Sequence, residues 1–139
     1  MTGRDELLDA ARQAGAAAYA PYSGFTVGAA VECEHGEVVA GCNVENASYG
    51  ASLCAERNAV AAAVAKGLRS FTAMAICTPA SPPAPPCGLC RQVMAEFNPG
   101  MTIYLTNPQG EVTQTTLDAL FPSPFDPGQL PRTSGLNRP

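Results

Sequence analysis

Apolar residues recur along this chain with different periods, and each change of period marks a boundary between elements. Over residues 3–19, Leu7, Leu8, Ala11, Ala14 and Ala18 follow a helical spacing, and Pro21 ends the run. Two strand-like runs follow, FTVGAAVE at 25–32 and EVVAGC at 37–42. The connection Cys33-Glu34-His35-Gly36 between them predicts a hairpin. A polar stretch from Asn43 to Ser52 leads to LCAERNAVAAAVAKG at 53–67, an alanine-rich helix with Gly67 as its C-terminal cap. TAMAICT at 72–78 reads as a buried strand, and Pro79–Pro86, with five prolines in eight residues, as an extended loop. A helix over 88–97 carries Leu89, Val93 and Phe97 on one stripe and ends at Asn98-Pro99-Gly100. TIYLT at 102–106 and EVTQT at 111–115 flank Asn107-Pro108-Gln109-Gly110, a second hairpin turn, and a short helical TLDALF follows.

The central order is strand, helix, strand, helix, strand. Such units require parallel strands and right-handed crossovers, with helices on both faces of the sheet. The expected class is therefore α/β. The loop after strand 37–42 and the starts of the helices at 53–67 and 88–97 then share one carboxyl edge, where ligands bind in sheets of this kind.

Composition narrows the function classes. The chain has 139 residues, 46% of them hydrophobic, the content of one domain with a real core; residues 1–130 are read as that domain and 131–139 as a flexible tail. Twelve acidic residues against eight basic ones, with Lys66 the single lysine, exclude the basic stripe of a duplex nucleic-acid binder. No apolar run approaches the roughly 18 residues of a membrane span, and MTGRDELLDAARQ lacks the apolar core of a secretory signal. The expected compartment is the cytoplasm, where the six cysteines do not form a disulfide framework.

Three of those cysteines open helices. Cys87 and Cys90 form Pro-Cys-Gly-Leu-Cys at the start of one, and Cys54 stands at the start of the other. A helix N-terminus lowers a thiol's pKa, and three thiolates with an open fourth position are the pattern of a catalytic zinc. Glu56, on the same first turn as Cys54, is placed to move protons without ligating the metal. Cys54-Ala55-Glu56 followed by Pro-Cys-x-x-Cys is also the known signature of zinc deaminases in its three-cysteine form. Taken singly, Glu56 could merely complement a helix dipole, Asn43 and Glu45 could be ordinary loop residues, and Phe25 could be core. Cys42 and Cys77 read as small buried hydrophobes, Cys33 as a free thiol at a turn, and His35 as solvated. Arg91 and Gln92 are either donors behind the ligands or helix surface.

Four blocks together carry a resemblance. Pro21-Tyr22-Ser23-Gly24-Phe25-Thr26-Val27-Gly28-Ala29, Asn43-Val44-Glu45-Asn46-Ala47-Ser48-Tyr49, Cys54-Ala55-Glu56-Arg57 and Pro86-Cys87-Gly88-Leu89-Cys90-Arg91-Gln92 resemble the small zinc-dependent cytidine deaminases that act on nucleosides. The likeness runs from about Ala18 to Leu130. It implies a three-layer α/β/α fold with a mixed five-stranded sheet. It also implies one Zn²⁺ per subunit on Cys54, Cys87 and Cys90, and Glu56 as proton shuttle while activated water attacks C4 of the base. The resemblance further places the Ala55 backbone on the pyrimidine, Phe25 beside it, Asn43 and Glu45 on the ribose 3′-hydroxyl, and Ala47 among the substrate contacts. Family members of this length are homotetramers with shared active sites, which implies that Tyr49 and Phe125 reach a neighbouring subunit's ligand. Arg57, beside the shuttle, is expected to donate to the ligand thiolates and offset their charge. Alternatives from other classes are a same-fold deaminase of another aminopyrimidine nucleoside, a structural-zinc module, which would need a fourth protein ligand, and a polynucleotide editor, which would need more basic and aromatic residues.

Overall fold

The computed structural model describes residues 3–131. Apart from Pro131, the tail expected at 131–139 lies outside the described residues. The elements are α1 (Arg4–Gly15), β1 (Gly28–Cys33), β2 (Val38–Cys42), α2 (Ala55–Ala65), β3 (Phe71–Cys77), α3 (Gly88–Phe97), β4 (Thr102–Thr106), β5 (Val112–Thr116) and α4 (Leu117–Leu120). The five strands form one mixed sheet in the order β2-β1-β3-β4-β5. β1 is antiparallel to both β2 and β3, β3 and β4 are parallel, and β5 returns antiparallel to β4. β2 and β3 therefore run in the same direction with β1 between them, so both strand–helix–strand units join parallel strands, the first by stepping over β1. Both predicted hairpins form, with Gly36 (φ 89°) and Gly110 (φ 89°) supplying the left-handed residue each turn needs.

Side chains alternate across the sheet and separate two cores. Ala30, Ala73, Ala75 and Cys77 face Leu7, Leu8 and Ala11 of α1. Ala29, Val31, Met74, Ile76, Ile103 and Leu105 face α2 and α3 through Ala59, Val60, Ala63 and Met94. Because β3 is covered on both faces, its sequence is a nearly unbroken apolar run rather than an alternating one. Small residues let α1 approach closely: a Cβ on Gly28 would lie 1.9 Å from the Ala11 carbonyl oxygen.

At three boundaries that differ from the sequence reading, a loop contact outweighs local propensity. α1 ends at Gly15 instead of residue 19, since Tyr19 leaves the helix to bond Asn43 and Glu45 in an extended bridge (3.0 and 2.8 Å). β1 begins at Gly28 instead of residue 25, because the Asn43 side chain takes the Val27 N–H and Phe25 carbonyl (both 2.8 Å). α2 begins at Ala55, with Leu53 held in a bridge to Val44 (2.9 Å). Two cysteines also depart from expectation. Cys33 is a free thiol as expected but is buried at the end of β1 rather than standing at the turn, and Cys42 is only half-buried, while Cys77 is buried as expected. His35 is exposed and rests on Glu34 (3.3 Å).

Candidate metal centre and active site

The site forms where β2 and β3 end and α2 and α3 begin. Cys54 and Cys87 occupy the N-cap positions of α2 and α3, with extended backbone and no side-chain cap bond. The usual capping residues would turn an oxygen back onto the helix N–H groups. Here the thiols instead converge, and Cys90 joins them from the first turn of α3. The three sulfurs lie within 4.8 Å of one another, with Cys54 to Cys87 at 3.7 Å and Cys87 to Cys90 at 3.3 Å. Sulfurs bound tetrahedrally to zinc at ~2.3 Å stand about 3.8 Å apart, so the donor set fits one zinc ion with slight spreading. Among the described residues, these three are the only His, Cys, Asp or Glu group so arranged, which leaves a fourth position open.

Electrostatics favour thiolate at Cys54. Its hydrogen bond with Cys90, reinforced by Arg57 and Cys87, pulls its pKa down to about 5 against the cost of burial. Cys90, fully buried and giving its proton to that bond, is pushed up. Arg57 Nη2 lies 3.8 Å from the Cys54 Sγ and 3.1 Å from the Ser52 carbonyl oxygen, while its buried Nε has no acceptor among the described residues. Glu56, on the first turn of α2, is 5% exposed; burial, with the Cys54 charge beside it, raises its carboxyl above the ordinary range. α2 is itself tied to the sheet by Asn58, whose amide donates to the Cys42 carbonyl oxygen (2.8 Å).

These groups border a cavity of about 280 Å³, small among ligand clefts. Of the residues singled out in the sequence, Phe25, Asn43, Glu45, Cys54, Ala55, Glu56 and Cys87 line it. Cys90 and Arg57 stand behind the wall. Asn43 and Glu45 already serve the protein: Asn43 closes the 25–27 backbone, and Glu45 accepts from the Tyr22 N–H (3.0 Å), the Ser23 N–H (3.1 Å) and the Ser23 hydroxyl. Tyr49 is 77% exposed, meets Tyr22 edge-on at 6.1 Å and borders a second cavity that shares Ser23, Glu45 and Ser52 with the first. Ala47 and Phe125 are exposed and line neither cavity.

Sequence reasoning passed over one group and left the role of another open between donors and helix surface. Thr78, Ala84 and Pro85 wall the cavity, although a threonine closing an apolar strand before a run of prolines offered a signal. Arg91 and Gln92 are tethers: Arg91 donates to the Pro86 and Leu120 carbonyl oxygens (2.8 and 2.7 Å). Gln92 makes a two-bond clamp on the backbone of Phe125 (2.9 and 3.0 Å).

The geometry has close counterparts. A family model described as the cytidine and deoxycytidylate deaminase zinc-binding region matches residues 1–106. A cytidine deaminase of Sporosarcina psychrophila is 45% identical over 127 residues, covering 91% of this chain and 93% of that protein. One from Mycobacterium tuberculosis is 43% identical over 122 residues, covering 88% and 89%. The crystal structure of cytidine deaminase from Burkholderia pseudomallei superposes with a TM-score of 0.86 at 47% identity, over 89% of this chain and 100% of that one. Agreement in fold, motif order and length of this kind places the chain in the zinc-dependent cytidine deaminase family.

Proposed function

We propose that this protein hydrolyses cytidine and deoxycytidine to uridine and deoxyuridine with release of ammonia, as an enzyme of pyrimidine salvage. The observation that carries the reading is the convergence of three thiols and a buried glutamate on one small cavity. Cys54, Cys87 and Cys90 would hold the zinc, which when bound would supply Lewis-acid activation of a water. The chain's residues do the rest. Glu56 takes a proton from the attacking water and delivers it to N3 of the cytosine, which makes C4 electrophilic. The same carboxyl then moves the next proton to the 4-amino group as it departs. Burial of Glu56 keeps solvent protons from competing with this transfer.

Binding follows from unspent hydrogen-bonding capacity. The Ala55 backbone, on the first turn of α2, holds the pyrimidine, and Phe25 packs beside it. A carboxylate offers about four lone-pair sites, and the Tyr22 and Ser23 donors occupy three at Glu45. The fourth accepts from the ribose 3′-hydroxyl, with the free capacity of the Asn43 amide beside it. A free nucleoside suits this cavity; a polynucleotide would need basic and aromatic surroundings that the chain lacks. We further assign residues 1–130 to one deaminase domain working in the cytoplasm as a homotetramer with shared sites. No helix among the described residues is long and apolar enough to cross a membrane. Exposed Tyr22, Tyr49 and Phe125, together with Ala47, are the surface that a neighbouring subunit covers.

The test is the ultraviolet absorbance of cytidine with wild type and Glu56→Gln, with zinc content measured for both. Wild type should bleach the cytidine band, and Glu56→Gln should retain zinc while losing about 10²- to 10⁴-fold in turnover. No bleaching by zinc-loaded wild type sinks the substrate assignment. Full activity in Glu56→Gln sinks the shuttle, and a monomeric sedimentation coefficient sinks the tetramer.

A further inference from the structure

The proline-rich segment that delivers Cys87 has almost no backbone of its own with which to hold a shape. Pro79, Pro82, Pro83, Pro85 and Pro86 lack N–H groups, so Ala80, Ser81 and Ala84 carry the only amide protons between Thr78 and Cys87. Two of those three converge on one atom. The Thr78 hydroxyl oxygen accepts from the Ala80 N–H (3.4 Å) and the Ala84 N–H (3.3 Å). Thr78 is 4% exposed, and its own N–H is fixed to the Thr106 carbonyl oxygen at the end of β4 (3.1 Å). The outer side of the loop is pinned separately. The buried Asn107 amide donates to the Ala80 carbonyl oxygen (3.0 Å) and to Glu111 (2.9 Å), and Glu111 accepts from the Ser81 hydroxyl.

We infer that Thr78 is a positioning residue: its hydroxyl, by gathering the Ala80 and Ala84 amides, sets the cavity wall formed by Ala84 and Pro85 and thereby the fit of the nucleoside. This rests on the proposed cytidine deamination only for the identity of the ligand. The physical reason is that prolines stiffen the segment without anchoring it. With Ala80 and Ser81 pinned on the outer side, the Thr78 hydroxyl is the hold on the inner side at Ala84, and a stiff segment transmits a small error there to the Ala84–Pro85 wall. Cys87 is fixed independently, through Arg91 and the Pro86 carbonyl oxygen, so a loosened wall costs binding before it costs metal.

The test compares Thr78→Val, which keeps shape and loses the acceptor, with Thr78→Ser, which keeps the acceptor. Hydrogen exchange of the peptide covering 79–86 reads three amides directly. Two should be slow in wild type and in Thr78→Ser, and all three fast in Thr78→Val. With cytidine, Thr78→Val should raise KM about tenfold at equal zinc content and leave kcat within about twofold, and Thr78→Ser should restore KM. Unchanged exchange in Thr78→Val overturns the inference even if cytidine is not the substrate. An unchanged KM in a cytidine-active protein, or equal damage in both variants, overturns it as well. Failure of wild type to act on cytidine falls on the functional reading alone, and the exchange result still decides the role of Thr78.

Discussion

Arg57 Nη2 lies 3.8 Å from the Cys54 sulfur and donates at 3.1 Å to the carbonyl of Ser52 just before it, so one guanidinium grips both the thiol and the strap that presents it. Three thiolates around Zn²⁺ carry a net negative charge, which weakens the metal as a Lewis acid. A permanent cation facing one sulfur, with two helix N-termini behind the set, draws charge back. Arg57→Gln should therefore lower zinc affinity or turnover by about 10- to 100-fold. Chelator competition and activity per bound zinc separate the two effects. Wild-type values for both would remove Arg57 from the site.

Close packing under α2 links stability to the site. A Cβ on Gly41 would lie 2.5 Å from the Ala59 nitrogen and 2.9 Å from the Ala55 carbonyl oxygen, so α2 must shift to admit it. Gly41→Ala should cost about 1–3 kcal/mol of stability and also impair turnover, because α2 carries Glu56. Gly50→Ala, which meets nothing within 4 Å, is the control. Thermal melts of the two variants should differ clearly.

Glu45 makes the entry loop sensitive to acid. The Ser23 hydroxyl and N–H, with the Tyr22 N–H, hold its carboxyl below the ordinary 4.5. A depressed folded value contributes stability that is fully present above 4.5 and is lost as pH falls through the folded value. The stability gap between wild type and Glu45→Gln should be constant at neutral pH and narrow in that acid range. Melting curves at several pH values will show whether it does.

Gln92 holds the backbone of Phe125 by two bonds while the ring stays outside, 57% exposed. If that ring completes a neighbouring subunit's site, Gln92→Leu should raise KM several-fold and leave bound zinc unchanged. Mixing Gln92→Leu with Glu56→Gln subunits should then give activity that depends on their arrangement. Strict proportionality to the amount of Gln92→Leu chain would contradict a shared site.

Much of the architecture was legible in the sequence because the elements bury their faces with regular periods. α3 and β4 lie where the spacing places them, at Gly88–Phe97 and Thr102–Thr106. Both hairpins were visible in their glycines. The zinc site was legible for a related reason: thiols at helix starts obey local rules of capping and charge, and the order of strands and helices brings those starts to one edge. The errors fell where a side chain or a backbone bridge reached across the chain. Asn43 shortened β1, and the bridge from Tyr19 to residues 43–45 stopped α1 at Gly15.

The sequence by itself determined the element order, the three cysteines that converge as a metal-holding group with Glu56 beside them, and the family resemblance. These depend on residue type and spacing. Only the tertiary structure decided that β1 stands between β2 and β3, that Asn43 and Glu45 brace the loop they line, that Thr78 gathers the proline-rich loop directly after its strand, and that Gln92 holds a segment far from its own helix. Apart from the Thr78 contacts, which lie within six residues, those facts rest on hydrogen bonds between residues distant in sequence. Such partners have no characteristic spacing, and any of several polar side chains would look equally suitable until the backbone brings one of them within about 3 Å.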